Sequence, residues 1–177
     1  MTSAIVSLII LALIAFWCIR TVNDFKKKEI RVQEGLSGIE AALTKRYDML
    51  TKMLDTAKGY MAHESELFTK VIELRHGMSI AEMNDAQRQM DTLSVRFFAV
   101  AENYPELRSS SVLAELQRSI RDAEEHLQAA RRLYNTSVTS YNTAIAMFPA
   151  KILAGSRQPK EFFAAEEDKR EDVKMTF

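Results

Sequence analysis

The sequence predicts an all-α protein, in which an N-terminal transmembrane helix precedes an antiparallel up-and-down bundle of three long helices, with room for a short fourth. Five glycines and three prolines in 177 residues leave few places for turns, which favours long helices over many short strands. An uncharged apolar run opens the chain, and apolar residues then recur at heptad spacing. We therefore divide the chain into an anchor (1–22), a polar stalk (23–34) that continues into the first helix, a bundle (35–149) and a largely irregular tail (150–177).

The first element is the apolar run from Ala4 to Ile19, which has no charged residue and only Ser7 as a polar one. Its ten Leu, Ile, Val and Phe residues contribute roughly −3 to −6 kcal/mol to membrane insertion, and no ionised side chain opposes them. A cleaved signal peptide is the alternative, but it requires a basic start and a small-residue cleavage site. Met1-Thr2-Ser3 carries no side-chain charge and the run ends in bulky residues, which favours an uncleaved anchor.

The charges that flank the run predict its orientation. Arg20, Lys26, Lys27 and Lys28 follow the run, whereas no basic side chain precedes it. The positive-inside rule then places the body of the protein in the cytoplasm and the short N-terminus outside. The lipid bilayer is thus the first partner that the sequence predicts.

The first helix of the bundle has an apolar seam, and no proline interrupts the chain before Pro105. We predict that the seam continues to Leu74 and that Gly77 marks the stop, with Arg46 and Glu64 as the two polar interruptions. Because residues 23–34 are mostly polar, we expect them to form a solvated stalk. The seam comprises Leu36, Leu43, Leu50, Ala57 and Val71 at one heptad position and Ile39, Met53, Tyr60, Leu67 and Leu74 at the other.

Two further helices have recognisable ends. A capping box, Ser79 to Glu82, begins the second helix, and Tyr104-Pro105 ends it. The third helix follows the serines at 109–111 and ends at Pro149. The short connections at 75–78 and 105–110 predict that consecutive helices are antiparallel neighbours. One heptad line of the third helix comprises Leu113, Ile120, Leu127, Tyr134, Tyr141 and Phe148.

Several short sequence motifs, taken together with their order and spacing, resemble those of the LemA family, and the resemblance covers nearly the whole chain. They are Lys45-Arg46-Tyr47-Asp48, Lys58-Gly59-Tyr60, His63-Glu64, the stretch from Ala101 to Leu107, and the stretch from Ala130 to Pro149. The motif residues that we carry forward are Arg46, Lys58, Gly59, Tyr60, His63, Glu64, Glu102, Asn103, Tyr104, Pro105, Arg131, Tyr134, Asn135, Tyr141, Asn142, Phe148 and Pro149.

The resemblance implies a single-pass protein of the bacterial inner membrane with a soluble antiparallel helical bundle, but it does not identify a biochemical activity. One branch of the family is associated with shaping internal membranes, and family genes often stand beside a membrane-bound zinc protease. The chain departs from the family pattern where Thr51 replaces a usual proline after Asp48-Met49-Leu50. We therefore expect a straighter helix near residue 51.

Candidate chemistry is weak in this sequence. His63-Glu64 lacks a second histidine four residues on, where Leu67 stands, so we expect no metal site. Neither a nucleophile–base arrangement nor a glycine-rich phosphate loop can be assembled, so we expect no enzyme and no cofactor. One cysteine, Cys18, excludes an internal disulfide framework. Lys plus Arg equals Asp plus Glu at 24 each, which argues against a nucleic-acid partner.

The polar and aromatic motif residues are better explained by packing. A buried charge needs a partner, and we expect Arg131 or Glu124 to supply one for Arg46 and Glu64, setting register rather than binding a ligand. Tyr134, Tyr141 and Phe148 are predicted to be core. Asn135 and Asn142 either hydrogen-bond across the bundle or bind the turn formed by Asn103, Tyr104 and Pro105; we favour the turn.

These features favour a non-enzymatic, membrane-anchored scaffold or adaptor that organises membrane proteins at the cytoplasmic face. A homo-oligomer through the stalk and first helix is a further expectation, because the seam is longer than the second helix. Three alternatives stay open: an accessory subunit of a membrane metalloprotease, a membrane-shaping protein, and a sensory bundle with a polar pocket near Arg46 and Glu64.

Overall fold

A computed structural model describes residues 1–61, 74 and 77–163 of the chain. Within those ranges the protein has five helices and no strand, which confirms the all-α prediction and its three long helices. The predictions for His63, Glu64 and the last residues of the tail concern parts of the chain outside the described residues. The helices are α1 (Thr2–Ala57), α2 (Ile80–Ala101), α3 (Pro105–Arg108), α4 (Ser111–Ala146) and α5 (Lys151–Ala154).

The chain forms two compact units, and α1 and α4 each contribute to both. Unit 1 consists of Met1–Leu36 and Arg132–Phe162. Unit 2 consists of Ser37–Arg131 and the segment that begins at Phe163.

The N-terminal part of α1, in unit 1, is apolar and exposed. Every residue from Met1 to Trp17 is exposed, although most of them are large hydrophobic residues. Among the described residues, α1 is the one helix that is long and apolar enough to cross a membrane. This finding agrees with the membrane-spanning helix that the sequence predicts at the N-terminal end of the chain.

In unit 1, α1 and α4 pack as antiparallel neighbours. The Lys28 ammonium donates a hydrogen bond to the Ser140 hydroxyl at 3.3 Å, and seven residues later along α1, Gly35 lies against Tyr134. Residue numbers therefore rise along one helix as they fall along the other. A Cβ atom on Gly35 would lie 3.0 Å from the Tyr134 Cα, so the absence of a side chain lets the two helices approach closely.

The interpretation of residues 23–34 as a solvated stalk needs correction. Phe25 is 1 % exposed and Val32 is also buried, and the Arg157 guanidinium lies 5.2 Å from the centre of the Phe25 ring. The two apolar residues are seven positions apart, so they share one face of the helix. Unit 1 thus covers this face of the predicted stalk with its own residues.

In unit 2, α1 ends earlier than the seam predicted. The helix runs through Thr51 without a break, as the missing proline suggested, but it ends at Ala57 rather than near Leu74. Lys58, Gly59 and Tyr60 form a turn in which the Tyr60 N–H donates to the Ala57 carbonyl at 2.9 Å. Tyr60, predicted as a seam residue, is consequently exposed.

This early end changes the direction of α2. The Gly77 N–H donates to the Glu40 carboxylate at 3.3 Å, and Arg46 pairs with Asp91, so residue numbers rise together along α1 and α2. The two helices are parallel, and the prediction that consecutive helices are antiparallel is wrong for this pair. The prediction failed because Gly77, which lies just before α2, is beside Glu40 and not beside the C-terminal end of α1. By contrast, α4 is antiparallel to α2, since Arg131 contacts Gln87 and Glu124 shares Arg46 with Asp91.

Other predicted features of unit 2 are confirmed. Ser79 and Glu82 form a complete capping box at the start of α2, with the Ser79 N–H donating to the Glu82 carboxylate at 2.7 Å. Apolar residues at heptad spacing in α2 were expected to form its core face; five of the six are buried and the sixth, Val100, is half-buried. The part of the α4 heptad line that belongs to this unit is buried as well. These buried residues are Met83, Ala86, Met90, Leu93, Phe97, Leu113, Ile120 and Leu127.

The heptad line of α4 continues into unit 1 and then fails at its last member. Tyr134 and Tyr141 are buried as predicted. Phe148 is 81 % exposed, so its assignment to the core is wrong. The helix ends at Ala146, and the heptad spacing no longer fixes the direction of a side chain that lies beyond the helix.

Candidate functional site

Among the described residues of unit 2, the most buried charge is the guanidinium of Arg46, which joins three helices. Arg46 is 5 % exposed; its Nη2 pairs with Asp91 on α2, and its Nη1 lies 3.1 Å from the Glu124 carboxylate on α4. A planar guanidinium can pair with two carboxylates at once because its N–H donors point in fixed directions. Glu124 was an expected partner, whereas Asp91 was missed.

The second buried arginine of unit 2, Arg131, contacts a residue of the tail. Its guanidinium donates to the Gln87 side-chain carbonyl and lies 4.7 Å from the centre of the Phe163 ring. Phe163 is buried as well. A cation over an aromatic face is attracted by the ring's negative charge distribution, so Arg131 helps to hold Phe163 in unit 2.

The dipeptide Tyr134-Asn135 recurs seven residues later as Tyr141-Asn142, and in unit 1 this repeated Tyr-Asn motif contacts the tail. Asn142 Nδ2 donates to the Lys160 carbonyl at 2.9 Å, and its Oδ1 accepts from the Lys160 N–H at 2.8 Å. The Tyr134 hydroxyl donates to the Glu161 carbonyl at 2.8 Å. Lys160 also places its ammonium 5.9 Å from the centre of the Tyr141 ring. Three of the four motif residues therefore contact two successive tail residues.

This geometry corrects the favoured interpretation of Asn142. We expected its amide to bind the turn at Tyr104-Pro105, but both of its polar atoms are engaged by Lys160. A side-chain amide can replace one residue of a neighbouring strand because it carries a donor and an acceptor side by side. Asn135 lies on the same helix and is half-buried.

Burial and charge affect one ionisable group of this motif. Burial raises the pKa of Tyr134 above its ordinary value, and the nearby Glu161 carboxylate raises the pKa further. Tyr134 is therefore held in its neutral form, the form that donates to the Glu161 carbonyl. On the exposed face of α1, the pKa of Glu29 is lowered, first by a hydrogen bond from Lys26 and then by the charge of Lys26.

The other motif residues lie in turns. In unit 2, Glu102 and Asn103 are exposed, Tyr104 is half-buried, and Pro105 is the first residue of α3. The Lys58 ammonium binds Asp55 at 2.5 Å, and Gly59 follows in the exposed turn after α1. In unit 1, Phe148 and Pro149 form part of the exposed turn after α4.

Among the grooves of unit 2, one with a mixed polar and apolar lining lies beside Glu40 and Thr44. Its volume is about 280 Å³, and Arg46 does not line it, in contrast to the pocket expected of a sensory bundle. Within the described ranges, no group of three or more His, Cys, Asp or Glu residues is placed to hold a metal ion. The groove is lined by Glu40, Leu43, Thr44, Tyr47, Asp48, Leu74, Met78 and Met83.

These features define a class of helical-bundle protein whose first helix begins with a segment long and apolar enough to span a membrane. Its buried polar contacts join helices to each other and to the tail. The chain belongs to the LemA family, whose family model matches residues 35–177. It is similar to Protein LemA of Metamycoplasma hominis, with 28 % identity over 131 residues, which cover 71 % of this chain. The matched region spans about 60 % of the length of that relative.

Proposed function

We propose that the protein is a membrane-anchored scaffold that holds other membrane proteins at the cytoplasmic face of a bacterial inner membrane. The observation that supports this proposal most directly is the continuity of α1. The helix has no break between its exposed apolar start and the buried residues Phe25 and Val32 of unit 1. A scaffold needs such a connection, because a binding surface that is already fixed at the membrane loses less entropy when a partner binds.

The proposed topology follows from the basic residues after the apolar run. Arg20 and the lysines at 26–28 favour a cytoplasmic bundle and an external N-terminus. To test it, Cys18 is replaced by alanine and a single cysteine is introduced by Ser3→Cys or Ser109→Cys. A membrane-impermeant maleimide should label position 3 from the periplasmic side, and position 109 only in inverted vesicles. The reverse pattern would contradict the orientation, and recovery of the chain in the soluble fraction would contradict the anchor.

The scaffold role is tested by capturing its partners in native membranes. Val95 in unit 2 and Leu133 in unit 1 are large apolar residues that are each more than two-thirds exposed. A photo-crosslinking amino acid at either position should yield discrete adducts with membrane proteins, whereas one at Arg88, which is exposed and polar, serves as the control. Equal background at all three positions would contradict the proposal.

The same experiment separates the alternatives that involve a protein partner. An adduct with a membrane-bound zinc protease, together with stable co-purification in detergent, would favour an accessory subunit of that protease. An adduct between two copies of the chain would favour a homo-oligomer. A membrane-shaping role would instead change vesicle curvature when the full chain is reconstituted without other proteins.

A sensory bundle is the second candidate function, and the groove in unit 2 is the observation that favours it. Glu40, Thr44 and Asp48 supply polar groups to a groove that also has an apolar wall, a combination that suits small ligands. Thr44→Leu should abolish any ligand-induced rise in thermal stability while leaving the crosslinks at Val95 and Leu133 unchanged. Loss of those crosslinks in the variant would argue against separate sensory and scaffold surfaces.

A further inference from the structure

We propose that the turn between α4 and α5, together with the start of α5, is a second membrane contact, which enters the interfacial layer of the bilayer beside α1. The proposal concerns three residues, Met147, Phe148 and Ile152, which we call the apolar corner. It rests on the membrane anchoring proposed above. It adds to that function a lipid-binding surface formed by the folded part of unit 1.

The apolar corner is unusually exposed for its composition. Met147 is 61 %, Phe148 81 % and Ile152 71 % exposed, and all three lie within six consecutive positions. Single exposed apolar residues are ordinary, but a contiguous group of large ones marks a surface that contacts a membrane or another protein.

The position of the corner along α1 identifies the membrane as its occupant. Lys28 lies beside Ser140 and Gly35 lies beside Tyr134. Continuing this antiparallel pairing toward the N-terminus places Phe148 at the level of Arg20 and Thr21.

A shared recess agrees with this placement, because Trp17, Arg20 and Thr21 of α1 line it together with Met147 and Ala150. The uncharged run of α1 ends at Ile19. The apolar corner is therefore level with the end of the apolar segment.

The chemistry of this level suits the boundary between lipid tails and headgroups. Trp17 has the amphipathic ring that prefers the interface, and Arg20 and Lys151 are exposed cations within the same zone. Asp24 is the acidic residue that also lines the recess. Apolar side chains flanked by basic ones bind lipid surfaces through buried apolar area and attraction to anionic headgroups. The expected ligand is thus a bilayer that contains anionic lipid.

Leu133 provides the matched control, because it is an exposed apolar residue of α4, the helix that leads into the apolar corner. It is 68 % exposed but lies thirteen residues before Ala146, which is about 20 Å along α4 at 1.5 Å per residue. If exposure alone determined lipid contact, Leu133 and the corner would behave alike. If the level along the anchor determines it, only the corner will contact lipid.

The test uses the full chain with Cys18→Ala, reconstituted in vesicles of phosphatidylcholine and phosphatidylglycerol. Nitroxide labels are attached after Phe148→Cys, Ile152→Cys, Leu133→Cys or Ile10→Cys, and their collision rates with oxygen and with a water-soluble nickel chelate are measured by electron paramagnetic resonance. Circular dichroism on the same samples checks that each variant is folded. The labels replace exposed side chains, so the helices need no repacking.

We expect position 10 to be strongly protected from nickel and positions 148 and 152 to be intermediate. At positions 148 and 152, the collision rate with oxygen divided by the collision rate with the nickel chelate should be several-fold higher than the same ratio at position 133. Equal ratios at 133, 148 and 152 with position 10 protected would overturn the apolar corner while leaving the anchor intact. Free access of nickel to position 10 would overturn the anchor itself, and the corner with it.

Discussion

The side-chain amide of Asn142 forms two hydrogen bonds with the backbone of Lys160, one as donor at 2.9 Å and one as acceptor at 2.8 Å. The tail residue is thereby held as if it were paired with a neighbouring strand. This contact explains why an asparagine follows the buried Tyr141 on α4: the tyrosine fills the core of unit 1 and the next side chain binds the tail.

The first prediction concerns this pair. Asn142→Ala should release the tail at Lys160 and lower the stability of the tail contact by about 1–3 kcal/mol, because two backbone groups lose their partners. Hydrogen exchange at the Lys160 amide should accelerate accordingly, by a factor of roughly 5 to 150. Thr143→Ala, at an exposed position on the same helix, is the control and should leave that amide unchanged. Unchanged exchange in Asn142→Ala would show that the amide is protected by something else.

The second prediction compares two glycines of α1. Gly35 faces the Tyr134 backbone, and a Cβ at this position would lie 3.0 Å from the Tyr134 Cα, whereas a Cβ on Gly38 would meet nothing within 4 Å. Alanine is the better helix former by about 1 kcal/mol, so Gly38→Ala should raise the melting temperature. Gly35→Ala should lower it, because forcing apart a close-packed contact costs about 1–3 kcal/mol.

Thermal unfolding of the full chain in detergent, followed by circular dichroism, measures both glycine variants. A shift of about 2–4 °C is expected for each kcal/mol in a domain of 150–250 residues. Shifts of the same sign in the two variants would contradict the close approach at Gly35.

The third prediction concerns Arg46. Arg46→Met should destabilise unit 2 by about 3 kcal/mol, the lower end of the range for breaking a buried ion pair, because water reaches the partly exposed Asp91 and Glu124. Arg46→Lys should recover only part of the loss, since an ammonium cannot address two carboxylates in the way that a guanidinium does.

Its matched control is Lys45→Met at the adjacent exposed position, which should change stability by less than about 0.5 kcal/mol. A double-variant cycle with Glu124→Leu then isolates the Arg46–Glu124 interaction. Additive losses in that cycle would mean that the 3.1 Å contact does not contribute to stability.

The fourth prediction is a pH dependence that arises from Tyr134. Its pKa is raised above the ordinary value of 10.0, so the folded state holds the proton more tightly than the unfolded state does. The stabilisation is complete below pH 10 and falls as the pH rises from 10 through the folded-state pKa. The urea midpoint of the native chain should therefore decrease between about pH 9.5 and 11.

Tyr134→Phe is the comparison that isolates this group from the other tyrosines. It should lower stability near pH 7 by about 1 kcal/mol, because the Glu161 carbonyl loses a donor, and its midpoint should decrease less steeply above pH 10. Parallel curves for the two proteins would contradict the assignment.

The sequence predicted the class of fold and most of the core because heptad spacing persists wherever a helix packs on another. The capping box at Ser79 and the buried Met83, Met90 and Phe97 are examples. The first helix was predicted to continue well past Ala57, where it ends, and its buried face was not predicted far enough toward the N-terminus. The seam residues Leu67 and Val71 lie outside the described residues. Phe25 and Val32 are two and one heptads before Ile39, but the polar residues around them concealed this continuation.

The failures concern features that spacing does not encode. Apolar periodicity continued past Lys58-Gly59-Tyr60, although the backbone turns there, and so α2 was assigned the wrong direction relative to α1. Contacts made by an irregular segment have no period, which is why the binding of Lys160 by Asn142 was not foreseen. Phe148 is seven residues after Tyr141, but α4 ends at Ala146, so this spacing does not place Phe148 on the same helix face.

The unbroken course of α1 has a mechanical consequence for unit 1. With no hinge between the apolar segment and the level of Gly35, any inclination of that segment is transmitted directly to the part of unit 1 built on the same axis. A span of about 24 Å, the length of sixteen helical residues, is shorter than the usual hydrocarbon thickness of about 30 Å. A span shorter than the bilayer core is accommodated by local thinning of the bilayer and by flanking side chains such as that of Arg20 that extend to the headgroups, and not by tilting. We therefore expect the segment, and the part of unit 1 built on the same helix, to stand close to the membrane normal.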